Sequence, residues 1–180
     1  MKKFNIENIN TPEYWDNHQT ALDFGLRQKT YLELAGIGNS IAELGCGLSP
    51  MLAHANIFEE KVGVDFSWET IKRAGLLYPD VTYRQADVTE TYLPEAHFDV
   101  SVSGEVIEHL ENPEALIEEM KRITKKGGKI IISTPHLEFE DPEHLWEFDE
   151  AWFQERGFTT EVVHSERFPG RSYIFAFCVV

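Results

Sequence analysis

The chain has 180 residues, 42% of them hydrophobic and 12% aromatic, and a formal net charge of −15. That length suits one domain, and that apolar content buries one sizeable core and excludes a disordered chain. The charge argues against a nucleic-acid partner, because phosphate binding normally needs a basic surface and no basic run here is longer than Lys125-Lys126. No stretch approaches the ~18 consecutive apolar residues of a membrane span, and no apolar run follows Lys2-Lys3, so neither a span nor a secretory leader is expected. The two cysteines, Cys46 and Cys178, fall in strand-like segments, as expected for a reduced, cytoplasmic protein.

In chain order, a helix from about Thr11 to Ala35 opens on Thr-Pro-Glu, a good helix start, and carries Leu22, Leu26, Tyr31 and Leu34 at broadly helical spacing. The first strand, Ser40 to Leu44, ends in Gly45-Cys-Gly47, and a short helix runs from Pro50 to about Phe58. Lys61-Val-Gly-Val-Asp65 is the second strand, followed by a helix from Trp68 to Leu77. The third strand starts at Val81 and ends at Asp87, and the fourth runs from Phe98 to near Gly104. An amphipathic helix from Asn112-Pro113 to Thr124 is expected to close on Lys125-Lys126-Gly127-Gly128, a basic last turn and a glycine stop. Lys129 to Thr134 is the fifth strand, stopped by Pro135; a helix over Glu150 to Arg156 ends at Gly157. Two strands, Thr159 to His164 and from Tyr173 onward, close the chain. Short β-branched runs alternating with helical patterns predict an α/β fold with a mostly parallel sheet.

In such a sheet, ligands bind beyond the carboxyl ends of the strands. Four sites recur at that end. Glu43-Leu-Gly45-Cys-Gly47 offers a turn through which the backbone approaches a ligand closely. Asp65, 18 residues past Gly47, can accept both hydroxyls of a ribose. Asp87, before Val88, stands where an acid could accept from an adenine amino group, and Ser103-Gly104-Glu105 follows the fourth strand. Each acid alone could be a cap or a solvated strand end; their recurrence at one end of successive strands points to a ligand.

Taken in order, Glu-Leu-Gly-Cys-Gly, Val-Gly-Val-Asp-Phe-Ser, Ala-Asp-Val, Phe-Asp-Val-Ser-Val-Ser-Gly-Glu-Val-Ile-Glu-His-Leu and Lys-Lys-Gly-Gly-Lys-Ile-Ile-Ile-Ser-Thr-Pro resemble the motifs of class I S-adenosylmethionine-dependent methyltransferases of the ubiquinone type. The resemblance covers about residues 20 to 165. It implies a Rossmann-like seven-stranded sheet with an antiparallel last strand, helices on both faces, and one domain over residues 1–180, with 1–35 a helical cap on a 36–180 core. It implies S-adenosylmethionine as cofactor, with Glu43 and Ser103 among its binding residues, the Gly45–Gly47 turn under its methionine part, Asp65 on the ribose, Phe66 on the adenine face, and Asp87 and Val88 at its far edge. Arg27 lies where related O-methyltransferases place an arginine on the cofactor carboxylate. Leu48-Ser49-Pro50 replaces the third glycine of dinucleotide motifs, which counts against a nicotinamide oxidoreductase.

Methyl transfer to a hydroxyl needs a base. Glu105-Val-Ile-Glu108-His109 puts two carboxylates and an imidazole on one face if the segment is helical. Glu105 and His109 are the candidate catalytic residues for O-methylation of a small molecule, without a metal. The same segment also resembles the Glu-x-x-Glu-His motif of the small-RNA 3′-terminal 2′-O-methyltransferases. That second resemblance implies a Mg²⁺ or Mn²⁺ ion held by Glu105, Glu108, His109 and His144. A methyltransferase-like protein that binds the cofactor without catalysis would carry the same cofactor motifs. Tyr14 and Trp15 are read as part of a cofactor-covering helix or as core packing, and Trp146, Phe148, Trp152 and Phe153 as an aromatic cluster near the acceptor opening or as core. With no sizeable insertion after the fifth strand, the acceptor site is open, supplied by the amino-terminal segment, or completed by a second subunit in a homodimer.

Overall fold

Nearly continuous runs of buried residues place the central strands in a sheet covered on both faces. The computed structural model describes residues 24–48, 50–136 and 143–180. Its strands are β1 (Ser40–Leu44), β2 (Glu60–Asp65), β3 (Thr82–Gln85), β4 (Phe98–Gly104), β5 (Thr124–Pro135), β6 (Thr159–His164) and β7 (Ser172–Val179). Among the described residues they form one seven-stranded sheet in the order β3-β2-β1-β4-β5-β7-β6. The pairs among β1 to β5 are parallel, and β7 runs antiparallel to both β5 and β6. The expected Rossmann-like architecture with an antiparallel last strand is therefore present.

Successive side chains leave a strand on opposite faces. Ala42, Leu44, Val62, Val64, Ile130, Ile132, Ile174 and Ala176 face one core, filled by Leu116, Ile117, Met120 and Ile123 of α4 (Pro113–Ile123) and Phe153 of α5 (Glu150–Gln154). Ile41, Val100, Val102, Ile131 and Phe175 face the other, covered by Tyr31 and Ala35 of α1 (Phe24–Ala35) and by Met51 and Leu52 of α2 (Pro50–His54). Helix α3 (Trp68–Leu77) starts at Ser67, whose hydroxyl accepts from the Thr70 N–H, and α5 starts at Asp149, whose carboxylate accepts from the Trp152 N–H. Of the expected amino-terminal helix, residues 24–35 form α1; Tyr14 and Trp15 lie outside the described residues.

Helix α2 ends at His54 rather than near Phe58 and α5 at Gln154 rather than Arg156, and two further boundaries differ from the sequence expectation. The third strand ends at Gln85, before Ala86 and Asp87. Helix α4 ends at Ile123, and Lys125, Lys126, Gly127 and Gly128 belong to β5, not to a helix stop. Long-range pairing explains the second case: Gly127 N–H donates to Val180 O at 2.7 Å, Val180 N–H donates back to Gly128 O at 2.9 Å, and Lys125 Nζ meets Asp99 Oδ1 at 2.7 Å. A Cβ on Gly128 would stand 2.7 Å from Thr124 Cγ2 and 2.8 Å from Asp99 O, so this crossing needs glycine.

The chain runs outward from β1 through β2 to β3, then returns to place β4 on the other side of β1. Strand order reverses between β1 and β4, the position beyond whose carboxyl ends open α/β sheets bind their ligands.

Candidate active site

After β1 the chain turns through Gly45 and Gly47, both with left-handed φ (75° and 51°). A Cβ on Gly45 would overlap the Val106 side chain, so this glycine lets the β1 turn pack against the segment after β4. Gly45 and Cys46 both donate N–H to Val64 O, at 2.8 and 2.9 Å. Asp65, at the end of β2, is buried; its Oδ2 accepts from Gly47 N–H at 3.0 Å and its Oδ1 from Ser67 N–H at 2.9 Å. Burial pushes its pKa up to about 6 despite these two donors. Each carboxylate oxygen has two lone pairs, so Asp65 is placed by protein donors and keeps acceptor capacity for a diol.

Glu43 on β1 accepts from the Leu52 backbone at one oxygen, while its enclosed Oε2 has no hydrogen-bond partner among the described residues. Burial is the main cause that raises its pKa to about 8, and the Arg27 guanidinium opposes it. Ser103 is fully buried, and its hydroxyl donates to Leu44 O at 2.8 Å, tying β4 to β1. Phe66 is half-buried, with its carbonyl held by Gln85 Nε2 at 3.0 Å. Asp87 is exposed; its Oδ1 accepts from the Thr89 N–H and hydroxyl at 2.8 and 2.6 Å, while Val88 is buried.

Beyond β4 the chain does not continue as a helix. Glu105 takes a left-handed φ of 56°, and only Ile107–His109 form a turn of 3-10 helix. The face predicted for Glu105, Glu108 and His109 is therefore divided in two. Glu105 turns toward β5 and α1: its N–H donates to Ser133 O at 3.0 Å, its Oε1 accepts from Ser133 Oγ at 2.7 Å, and Arg27 Nη1 lies 3.7 Å away. The Tyr31 hydroxyl completes this row, donating to Ser133 Oγ at 2.6 Å. Tyr31 and Ser133 carry no sequence signal of their own. The one available hint is that Arg27 and Tyr31 stand four apart on α1 and so share a face.

Glu108 and His109 turn the other way. Glu108 is 1% exposed, and its Oε2 accepts from Thr134 Oγ1 at 3.1 Å. Its Oε1 has no hydrogen-bond partner among the described residues and lies 3.9 Å from His109 Nε2. Burial first, and then the Glu105 charge, hold the Glu108 carboxyl well above the usual carboxylate range. His109 Nδ1 meets Glu143 O at 3.2 Å, and since a carbonyl only accepts, Nδ1 carries a hydrogen. The His144 ring stands edge-on to His109 at 4.9 Å, and ligand atoms of Glu108, His109 and His144 all lie within 4.8 Å of one another. Glu108 O also accepts from Leu145 and Trp146 N–H, and Trp146 Nε1 donates to Leu110 O at 2.8 Å, so the 143–146 segment is docked on this turn. Phe148 and Phe153 are core, and Trp152 packs against that core.

Residues 42–132 match the family model described as a methyltransferase domain. The chain belongs to the class I S-adenosylmethionine-dependent methyltransferases. This methyltransferase is 31% identical over 102 residues to a "Probable S-adenosylmethionine-dependent methyltransferase" of Mycolicibacterium smegmatis, covering 55% of this chain and 39% of that protein. It is 30% identical over 112 residues to the phosphatidylethanolamine N-methyltransferase of Cereibacter sphaeroides, covering 59% and 55%. The methyltransferase thus spans about half the length of these relatives or less. In fold it is similar to an S-adenosylmethionine-dependent methyltransferase from Aquifex aeolicus, with a TM-score of 0.67, 17% identity and 97% of each chain covered. The residues at these strand ends are chemically compatible with the family's cofactor: Asp65 keeps acceptor capacity, Phe66 and Val88 are apolar, and Glu43 Oε2 is a buried oxygen without a hydrogen-bond partner among the described residues. No helix among the described residues is long and apolar enough to cross a membrane.

Proposed function

We propose that this methyltransferase carries the methyl group of S-adenosylmethionine to an oxygen of a small, cytoplasmic acceptor, without a metal. The observation that supports this best is that His109 Nδ1 lies 3.2 Å from Glu143 O, so that in the neutral ring Nε2, 3.9 Å from Glu108 Oε1, is the nitrogen able to take a proton. In this reading the two left-handed glycines, Asp65, Phe66, Asp87 and Val88 hold the nucleoside. The bound cofactor supplies an electrophilic methyl group. His109 takes the acceptor's hydroxyl proton, and Glu105, anchored on Ser133, helps to position the acceptor. The net charge of −15 favours a small acceptor over a nucleic acid. A homodimer in which a second copy closes the acceptor opening belongs to the same reading.

The compact set of Glu108, His109 and His144 favours one further reading, a divalent ion that binds a ribose diol for 2′-O-methylation at an RNA 3′ end. A buried carboxylate oxygen without a donor, facing an imidazole acceptor, is the arrangement a cation would complete. Turnover of labelled S-adenosylmethionine across phenols, hydroxy acids and a short RNA, each with chelator and with Mn²⁺, separates the two. Chelator-insensitive methylation of a small hydroxyl compound is expected. Methylation of RNA alone, dependent on Mn²⁺ and lost in His109→Ala and His144→Ala, would replace the first reading with the second. Cofactor binding with no turnover on any acceptor class would leave a non-catalytic binding protein.

A further inference from the structure

The chain is acidic overall, yet the turn that joins β6 to β7 carries two arginines around one phenylalanine. Arg167 Cζ lies 5.1 Å and Arg171 Cζ 5.0 Å from the centre of the Phe168 ring. Contact with the ring supports each guanidinium, but it also brings two like charges together, an arrangement that an anion would relieve. Arg167 is exposed and makes no ion pair among the described residues. Three hydrogen bonds fix the turn: Ser165 N–H donates to Arg171 O at 2.9 Å, Arg171 N–H to Phe168 O at 3.0 Å, and Phe168 N–H to Ser165 Oγ at 2.9 Å.

Strand register decides where this hairpin stands. Strand β7 runs against β5, so it starts where β5 ends: Tyr173 pairs with Pro135, and Ser172 O accepts from His136 N–H at 2.9 Å. Ser133, which anchors Glu105, pairs with Phe175. Three residues at ~3.3 Å each put Ser172 about 10 Å past the level of that anchor. The hairpin therefore overhangs the end of the sheet that carries Asp65, Glu105 and His109. Its base is continuous with them, because the Tyr173 ring lies 5.5 Å from Arg27 Cζ, and Arg27 Nη1 lies 3.7 Å from Glu105 Oε1.

We propose that this hairpin reads an anionic group, a carboxylate or a phosphate ester, on the methyl acceptor, with Arg167 and Arg171 as its ligands and Phe168 as an apolar ledge beside it. This rests on the small-acceptor reading above and names the acceptor's chemical class. A guanidinium presents a planar fork of donors that matches carboxylate and phosphate oxygens in pairs. A chain with 31 acidic and 16 basic side chains repels an anion at long range, and a local pair of arginines is what lets one dock at this end of the sheet.

Calorimetric titration of the protein saturated with S-adenosylhomocysteine tests this with three probes: benzoate, phenyl phosphate and the neutral benzamide. At least one of the two anions is expected to bind about tenfold more tightly than benzamide, the worth of one charge-assisted hydrogen bond. Which anion binds more tightly tells a carboxylic acid from a phosphate ester. In Arg167→Gln/Arg171→Gln the preference should fall below about twofold, whereas Lys72→Gln/Lys121→Gln, which removes the same charge at two other exposed positions, should keep it. Arg167→Gln alone repeats the test, with a partial loss expected, if the double variant does not fold. No preference for either anion, or equal loss in both double variants, overturns the proposal. Capture by phosphatidylglycerol vesicles with neither soluble anion bound also overturns it and makes the hairpin a membrane contact. Anion binding that needs the two arginines, without turnover of any small hydroxyl compound, overturns the O-methylation reading and leaves the anion site standing.

Discussion

Replacing Glu43 with glutamine isolates the cost of holding a buried acid near the carboxyl end of β1. In the folded protein burial raises its pKa from 4.5 to about 8, so folding favours the protonated form. The associated stability is fully present below about pH 4.5 and is lost as pH rises toward 8, because the unfolded chain ionises freely over that window while the folded one does not. Each pH unit of the window is worth about 1.4 kcal/mol, giving a ceiling of about 5 kcal/mol. Glutamine keeps the shape and does not titrate. Wild type and Glu43→Gln are therefore expected to differ by only about 1 kcal/mol near pH 5, where both side chains are neutral. The variant should gain about 3–5 kcal/mol relative to wild type by pH 8.5. Urea unfolding at several pH values, in the absence of cofactor, measures this directly. Asp65 and Glu108 are present in both proteins and largely drop out of the difference. Two stability-versus-pH curves that run parallel from pH 5 to 8.5 would refute the reasoning, because they would mean that Glu43 is ionised in the folded state throughout.

Three other outcomes follow from the same geometry. Gly45→Ala combines a left-handed φ with overlap of Val106 and should destabilise by about 2–4 kcal/mol in urea unfolding. Asp65→Asn should weaken S-adenosylhomocysteine binding by about 1–3 kcal/mol. Since the Asp65 pKa is about 6, wild-type affinity should fall as pH drops through that value while the asparagine variant shows no such step; a calorimetric series from pH 5 to 8 reads both. Tyr31→Phe removes the hydroxyl that donates to Ser133 and should cost about 1–2 kcal/mol of stability, seen as a lower thermal midpoint.

The strands themselves and the cluster of candidate residues at their carboxyl ends were legible because they depend on local pattern. Short β-branched runs give the strands, Gly45 and Gly47 mark a turn, and Asp65 follows at the end of the next strand. What escaped the sequence was decided by partners far away in the chain. Lys125 to Gly128 read as a helix stop until pairing with Val180 draws them into β5. Glu105 reads as helical beside Glu108, yet Ser133, 28 residues on, receives its backbone and side chain and turns it the other way. Ser103 looks like a ligand contact at a strand end, but its hydroxyl is directed at Leu44 O, a bond that only the β1–β4 neighbourhood creates. Glu108, His109 and His144 could be grouped from the motif, whereas the Tyr31–Ser133–Glu105 row joins residues as many as 102 positions apart and leaves no local trace.

Arg27 and Tyr31 leave α1 from the same face, one against Glu105 and the other against Ser133. Detachment of this one helix would strip the site of its guanidinium and of the row behind Glu105 in a single event. With Arg27 on the cofactor carboxylate, as the resemblance implies, opening of α1 and loss of binding are the same equilibrium. Amide protons along residues 24–35 should exchange through a local opening, and a ligand that requires Arg27 should slow them by a factor of 1 + [L]/Kd, while the amides of β1 and β4 continue to report global unfolding.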